Sequence, residues 1–232
     1  LPIASIIWIS LSATESSWPH LFATVLPRAL GNTVALLAGA SLLALAIGTS
    51  TAWIVTMFSF PGRDIADRLL VLPLAMPVYI VAYAYVELLD FAGPVQTGLR
   101  AAFGAKSFLG TIVPDVRSLG GAIALFAIVL YPYVYLTARA SFVQQSVCAL
   151  EVARTLGRTA GGTFWSVALP MARPALAGGV MLVMMECMND LGAVQYLGVE
   201  TLSASIYATW MQRSNLPGAA QLALVMLVMV FA

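Results

Sequence analysis

The sequence predicts an all-α protein that crosses a membrane about six times. Of its 232 residues, 61% are hydrophobic and only 9% are charged, and the mean hydropathy is +0.93. A soluble domain carries charge at about a quarter of its positions, so this composition excludes an ordinary soluble protein. Apolar runs alternate with polar stretches, and several runs reach the roughly 20 residues that a helix needs to cross a bilayer. We therefore expect a polytopic membrane protein with one domain over residues 1–232.

Six apolar runs predict the helices in order. The predicted helices cover residues 1–11, 29–58, 69–91, 119–138 and 175–197, and a sixth begins near Pro217. The first run and the apolar run 222–232 are both shorter than a spanning helix requires. We therefore expect the first and last transmembrane helices to be truncated and the chain to be a fragment of a longer protein.

Prolines, short one-sided apolar stretches and a tyrosine segment add detail to this predicted series of helices. Pro73 and Pro77 interrupt the third run, where they either serve packing or let the helix flex. Residues 92–118 and 201–213 contain short stretches with one apolar side, which predicts helices lying in the membrane interface against lipid. The tyrosines of the segment YPYVY at residues 131–135 close the fourth run, which is typical of the aromatic belt at the water boundary.

The sequence offers little for other kinds of site. Its two cysteines, Cys148 and Cys187, lie in different settings, and the lone His20 lies in a polar stretch. No spacing of Cys and His predicts a disulfide or a metal site, and no cofactor is expected in this chain. The net charge is +1 with no basic patch, so no nucleic-acid partner is expected.

The polar stretch at residues 141–174 separates two long apolar runs. Lipid does not tolerate such a segment, so it must form a loop in water. Ser146 can cap a short helix there, and Gly157 can end it in the left-handed conformation. A helix of about ten residues is only marginally stable alone, so it must gain order by lying against another surface.

Acidic residues fall inside two of the apolar runs. Glu186 lies about 17 Å along the predicted fifth helix, near the middle of a hydrocarbon layer of about 30 Å. Asn189 and Asp190 follow it, and Asp190 should share a helical face with Glu186. Glu87 and Asp90 form a second pair near the outer end of the third helix. These residues either line a translocation pathway or pair with and cap neighbouring helices.

The polar stretch resembles the EAA loop in the permease subunits of ABC importers. That pattern is EAA, three residues, Gly, nine residues, Ile, one residue and Leu-Pro. This chain departs from it at Val152, which replaces Ala, and at Val167, which replaces Ile. The resemblance assigns coupling to an ATPase to Glu151, Val152, Ala153, Leu156, Gly157, Val167, Leu169 and Pro170.

The resemblance implies the type I ABC importer permease fold, also called MetI-like, in a multi-pass protein of the bacterial inner membrane. It implies that the loop is cytoplasmic and docks in a groove of a separate ATPase. Basic residues divide almost evenly between the two sides, so the motif alone sets this orientation. The implied partners are two ATPase subunits that bind ATP and magnesium, a second permease half and a periplasmic substrate-binding protein. The chain itself would be a transport subunit and not an enzyme.

A wider resemblance suggests the cargo. The segments LPRALGNT, FSFPGRD, ELLDFAGPVQTGLRAAFG, LYPYVYLTARASF and MECMNDLGAVQYLGVETLSASIYATW are similar to the N-terminal half of ferric iron ABC permeases. Ferric iron prefers oxygen ligands, which carboxylates and tyrosines supply. The same acids suit cationic polyamines or thiamine. A proton-coupled secondary transporter is the rival class, but no inverted repeat is visible, and no nucleophile and base pair supports a membrane enzyme.

Overall fold

The computed structural model describes residues 2–11, 21–90, 92–103, 115–145, 155, 157 and 159–231. Within these ranges the regular elements are helical, so the described part of the chain is all-α. Ten helices are numbered here in chain order: α1 Pro2–Leu11, α2 Leu26–Met57, α3 Arg63–Leu69, α4 Val78–Leu89, α5 Pro94–Phe103, α6 Leu119–Gln144, α7 Leu169–Asn189, α8 Leu191–Tyr196, α9 Leu202–Tyr207 and α10 Leu216–Phe231.

Shorter turns join several of these helices. Single π-helical turns are found at Leu21–Val25, Phe164–Ala168 and Ala208–Gln212. A 3-10 turn covers Leu72–Ala75, and a short helix covers Ala160–Thr163.

Four helical stretches of the described chain are long and apolar enough to cross a membrane. They are Ala23–Met57, Val78–Ala101, Leu119–Gln144 and Gly161–Asn189. The terminal helices α1 and α10 are apolar but have only 10 and 16 residues. The sequence therefore predicted the order of the apolar helices correctly, with short ones at both ends.

Two helix boundaries differ from the prediction. The predicted third helix is broken, since Pro73 lies in the 3-10 turn and α4 begins only after Pro77. The fifth helix starts before the predicted residue 175, because the helical stretch Gly161–Asn189 runs through the π-helical turn Phe164–Ala168 directly into α7. It ends at Asn189, and the chain re-enters helix at Leu191.

The tyrosines at 131–135 do not form the predicted aromatic belt. Helix α6 continues to Gln144, six residues past the predicted end, so these side chains lie within the helix rather than at its end. Tyr135 is fully buried and Tyr131 is 9% exposed. Tyr131 and Tyr135 therefore pack inside the protein instead of facing lipid.

The described chain divides into two compact units. Unit one comprises residues 1–37, 78–123 and 188–232, and unit two comprises residues 38–77 and 124–187. In unit one, α10 packs on α1 and α9, and α8 packs on α4. The small hydrophobic core of unit one contains Leu26 and Ala29 of α2 together with Leu202 and Leu222.

A buried hydroxyl ties two distant segments of unit one together. The Thr33 hydroxyl donates to the Ala29 carbonyl at 2.7 Å and accepts from the Leu202 N–H at 2.9 Å. The Asn32 amide donates to the Glu200 carbonyl at 3.0 Å. The segments LPRALGNT and GVETLS are therefore held together, although more than 160 residues separate these partners in the chain.

In unit two, two glycines let α2 and α7 approach α6 closely. A Cβ atom on Gly48 of α2 would lie 2.8 Å from the Tyr131 carbonyl oxygen and from the Tyr135 nitrogen. A Cβ atom on Gly179 of α7 would lie 2.9 Å from the Val134 Cα. Small residues at such positions are how membrane helices pack backbone to backbone.

Candidate coupling and translocation sites

The two ends of the predicted coupling loop are joined to each other in unit two. Gln145, which follows the last residue of α6, donates its side-chain amide to the Ala168 carbonyl at 2.9 Å. Ala168 immediately precedes α7 and is fully buried, and Gln145 is only 8% exposed. A buried hydrogen bond resists separation because water cannot replace it locally. The end of α6 and the beginning of α7 therefore form one base for the loop.

An aromatic cluster holds this base against α2. The rings of Trp53, Phe142 and Phe164 contact one another, with centroid distances of 5.4 Å from Trp53 to Phe142 and 5.1 Å from Trp53 to Phe164. Aromatic pairs at such distances stabilise packing beyond the area they bury. Sequence reasoning did not identify this cluster, because its members come from three separated segments.

The coupling residues fall partly outside the described chain. Glu151, Val152, Ala153 and Leu156 lie outside the described residues, so their predicted role stays a prediction. Gly157 is described and has a φ of +82°, the left-handed conformation that the sequence predicted for it. Its role in coupling also stays a prediction.

The second half of the motif lies at the start of the fifth helix. Val167 is in the π-helical turn before α7, and Leu169 and Pro170 are its first two residues. They therefore belong to the loop base rather than to a free loop. The interval 160–174, predicted as part of the polar loop, is helical.

The predicted intramembrane acids have separate surroundings. Glu186 is half-buried and accepts a hydrogen bond from the Tyr133 hydroxyl at 3.2 Å, within unit two. A carboxylate inside a membrane bundle needs such a partner, because an unpaired charge there is costly. This contact links α6 to α7 next to the close approach at Gly179.

Asp190 acts as a helix cap. Its backbone leaves the helical region, with φ −81° and ψ 89°, and its carboxylate accepts from the Ala193 N–H at 2.8 Å. Asp190 lies one residue past the end of α7 at Asn189, and the expectation that it shares a helical face with Glu186 stays a prediction. Asn189 is exposed. A pathway role for Glu186, Asn189 and Asp190 stays a prediction.

Glu87 and Asp90 lie at the end of α4 in unit one, and both are exposed. The Asp90 carbonyl accepts from the Gly93 N–H at 2.7 Å, which closes the turn into α5. The Gln96 side chain donates to the Leu89 carbonyl at 2.8 Å and supports the same turn. A pathway role for Glu87 and Asp90 also stays a prediction.

Sequence reasoning missed a polar cluster in unit two. Asp67 of α3 accepts hydrogen bonds from the Tyr135 hydroxyl and from the Arg139 guanidinium of α6, the latter at 2.5 Å. Burial alone would raise the pKa of the Asp67 carboxyl, but the bonds from Tyr135 and Arg139 lower this pKa below its ordinary value. The carboxylate is therefore charged at neutral pH. Within the described chain, no group of three or more His, Cys, Asp or Glu could hold a metal ion.

The family follows from comparison with known sequences. A family described as "Binding-protein-dependent transport system inner membrane component" matches residues 44–232. The chain belongs to this family. The match covers most of both units and the whole polar loop, including the spacing from Glu151 to Pro170.

Two curated relatives show how much the family varies. The Fe(3+)-transport system permease protein FbpB 2 of Haemophilus influenzae is 24% identical over 95% of this chain, which spans 40% of that relative. A probable molybdenum ABC transporter permease of Haloferax volcanii is 28% identical over 97% of this chain, which spans 79% of that relative. The two names refer to different cargoes, so sequence similarity alone does not identify what this chain carries.

The fold matches a solved ABC transporter. A bacterial alginate ABC transporter, crystallised with a periplasmic protein bound to an alginate pentasaccharide, aligns with a TM-score of 0.79. The alignment covers 99% of this chain and 85% of the solved chain at 17% identity. At that identity the similarity supports the fold alone.

Proposed function

We propose that this chain is the membrane permease part of an ABC importer in the bacterial inner membrane. A separate pair of ATPase subunits binds ATP and magnesium, a second permease half completes the pathway, and a periplasmic binding protein delivers the cargo. The observation that carries this proposal is the family match over residues 44–232, which includes the polar loop.

The geometry of unit two supports alternating access driven through the loop. Force applied to the loop reaches both α6 and α7, because the Gln145 bond to Ala168 joins their ends. The aromatic cluster extends this connection to Trp53 of α2. A displaced loop would therefore move three helices together instead of bending one of them.

Gly157 offers a direct test of coupling. Its φ of +82° suits glycine, and an alanine there costs about 1 kcal/mol or more of backbone strain. We expect Gly157→Ala to remain in the membrane but to lose most binding-protein-stimulated ATP hydrolysis and transport. Gly157→Asn should retain more activity, because asparagine tolerates the left-handed conformation.

Gly161→Ala is the matched control. Gly161 lies four residues away, has no positive φ and has open space around an added Cβ atom. Equal transport by Gly157→Ala, Gly161→Ala and the unaltered protein would contradict the coupling role. Uptake driven by a proton gradient without any ATPase would instead favour a secondary transporter.

We propose ferric iron as the cargo. The support for this proposal is the Haemophilus influenzae relative named for Fe(3+) transport, which aligns with 95% of this chain. Uptake of radiolabelled ferric iron, molybdate, spermidine and thiamine should be compared in one reconstituted system. Preferred uptake of any of the other three would overturn the iron proposal and leave the importer proposal intact.

A further inference from the structure

Two sequence motifs that the proposed function does not use meet in unit two. One is FSFPGRD with the helix α3 that follows it, and the other is LYPYVYLTARASF in α6. Asp67 lies 68 residues before Tyr135 and 72 residues before Arg139. No local pattern predicts this contact, which joins a short polar helix to a long apolar one.

Both oxygens of the Asp67 carboxylate are occupied. Tyr135 donates to Oδ1 and Arg139 donates to Oδ2, so the side chain cannot rotate without losing a charge-assisted bond. The Arg139 side chain is 38% exposed and the Asp67 side chain 27%. An ion pair at that exposure contributes little by itself. Tyr135, however, is completely buried, and its hydroxyl would lose its partner if Asp67 moved away.

The other end of α3 is attached to α2. The Arg63 Nε donates to the Val55 carbonyl at 2.6 Å. Val55 lies in the last turn of α2, where carbonyls have no partner within the helix. Arg63 therefore ties α3 to α2, while Asp67 ties it to α6.

The contact is also close to the loop base along α6. Arg139 precedes Gln145 by six residues, which is about 9 Å of helix. Phe142 lies between them and contacts Trp53 of α2. The end of α2, the helix α3 and the end of α6 are therefore cross-connected by independent contacts.

We infer that Asp67, Tyr135 and Arg139 form a latch that makes α3 and α6 move as one piece when the loop is displaced. Asp67 is thus a positioning residue for coupling, acting through Tyr135 and Arg139. This inference rests on the proposed importer function. Without the latch, the end of α6 would shift relative to α3. Part of the movement driven by the ATPase subunits would then be lost before it reached the helices of the pathway.

The test measures cargo moved per ATP hydrolysed in proteoliposomes holding the complete transporter and a binding protein loaded with radiolabelled ferric iron. Asp67→Asn keeps the shape and removes the charge, and Tyr135→Phe removes only the buried hydroxyl. We expect each to lower this ratio at least threefold while the amount of assembled complex stays near that of the unaltered protein. The double variant Asp67→Arg with Arg139→Asp should recover part of the ratio, because it restores a pair of opposite charges.

Asp64→Asn is the matched control, because Asp64 lies on the same helix and is exposed. It should leave the ratio unchanged. A merely structural role would reduce the amount of assembled complex without changing the ratio, and that result would overturn the inference, as would an unchanged ratio in Tyr135→Phe. If the unaltered protein moved its cargo without ATP, the proposed function would fail instead.

Discussion

Tyr133 and Tyr135 lie two residues apart on α6, and their hydroxyls reach different carboxylates. Tyr133 donates to Glu186 of α7, and Tyr135 donates to Asp67 of α3. Residues two apart on a helix point in different directions, so one short segment can contact two neighbours. Each phenol thus donates to a different carboxylate, and Asp67 also accepts from Arg139.

The Asp67 contacts predict a pH dependence. The pKa of this carboxyl is lowered in the folded protein, so its contribution to stability is present above the ordinary Asp value of about 3.9 and disappears as pH falls through the folded pKa. We expect the unaltered protein to have a higher thermal midpoint than Asp67→Asn at neutral pH. The difference should shrink below about pH 4. A difference that is constant across this range would contradict the assignment.

Asp190 can be tested as a cap separately from any pathway role. Asp190→Asn keeps an oxygen that can accept from the Ala193 N–H, whereas Asp190→Ala removes it and costs about 1 kcal/mol. If capping is its main role, Asp190→Asn should transport normally and Asp190→Ala should have a lower thermal midpoint. Loss of transport in both variants at unchanged stability would point to the pathway.

At the level of the elements, α6 is the helix that others pack around in unit two. Gly48 of α2 and Gly179 of α7 approach its backbone, and α3 bonds to Tyr135 and Arg139. Three kinds of contact thus act on one helix: backbone proximity, hydrogen bonds to carboxylates and aromatic packing. We expect these helices to move together when the loop base moves.

The close packing of Gly48 against the backbone of α6 predicts that a larger residue at this position lowers stability. Its Cβ would lie 2.8 Å from two backbone atoms of α6, which cannot move aside as a flexible side chain could. We expect Gly48→Ala to cost about 1–3 kcal/mol, measured as a lower thermal midpoint in detergent. Gly31→Ala on the same helix is the control, since nothing lies within 4 Å of its added Cβ and alanine favours helix. Similar midpoints for both variants would refute the close approach.

At the scale of the whole molecule, the chain is a multi-pass membrane protein whose loops must alternate between the two sides. One spanning stretch, Gly161–Asn189, separates Thr159 from Glu200, so these residues should lie on opposite sides. Asp64 lies on the helix that bonds to α6 near the loop base and should share the side of Thr159. The importer proposal makes that side cytoplasmic.

Cysteine labelling can test this topology. With Cys148 and Cys187 replaced, single-cysteine variants Glu200→Cys, Thr159→Cys and Asp64→Cys can be exposed to an impermeant thiol reagent in right-side-out vesicles. We expect only Glu200→Cys to react before the membrane is permeabilised, and all three to react afterwards. Early labelling of Thr159→Cys would place the loop outside and defeat the proposed function.

The sequence by itself determined the membrane class, the order of the helices and the left-handed Gly157, because hydropathy and backbone preference are local properties. It also indicated where proline would break the third helix. Only the tertiary structure decided that Asp67 pairs with Tyr135 and Arg139. In a membrane helix the lipid-facing side is as apolar as the packed side, so the pattern does not reveal which faces meet. Partners 68 and 72 residues apart are therefore set by helix packing, which brings Tyr135 and Arg139 to Asp67.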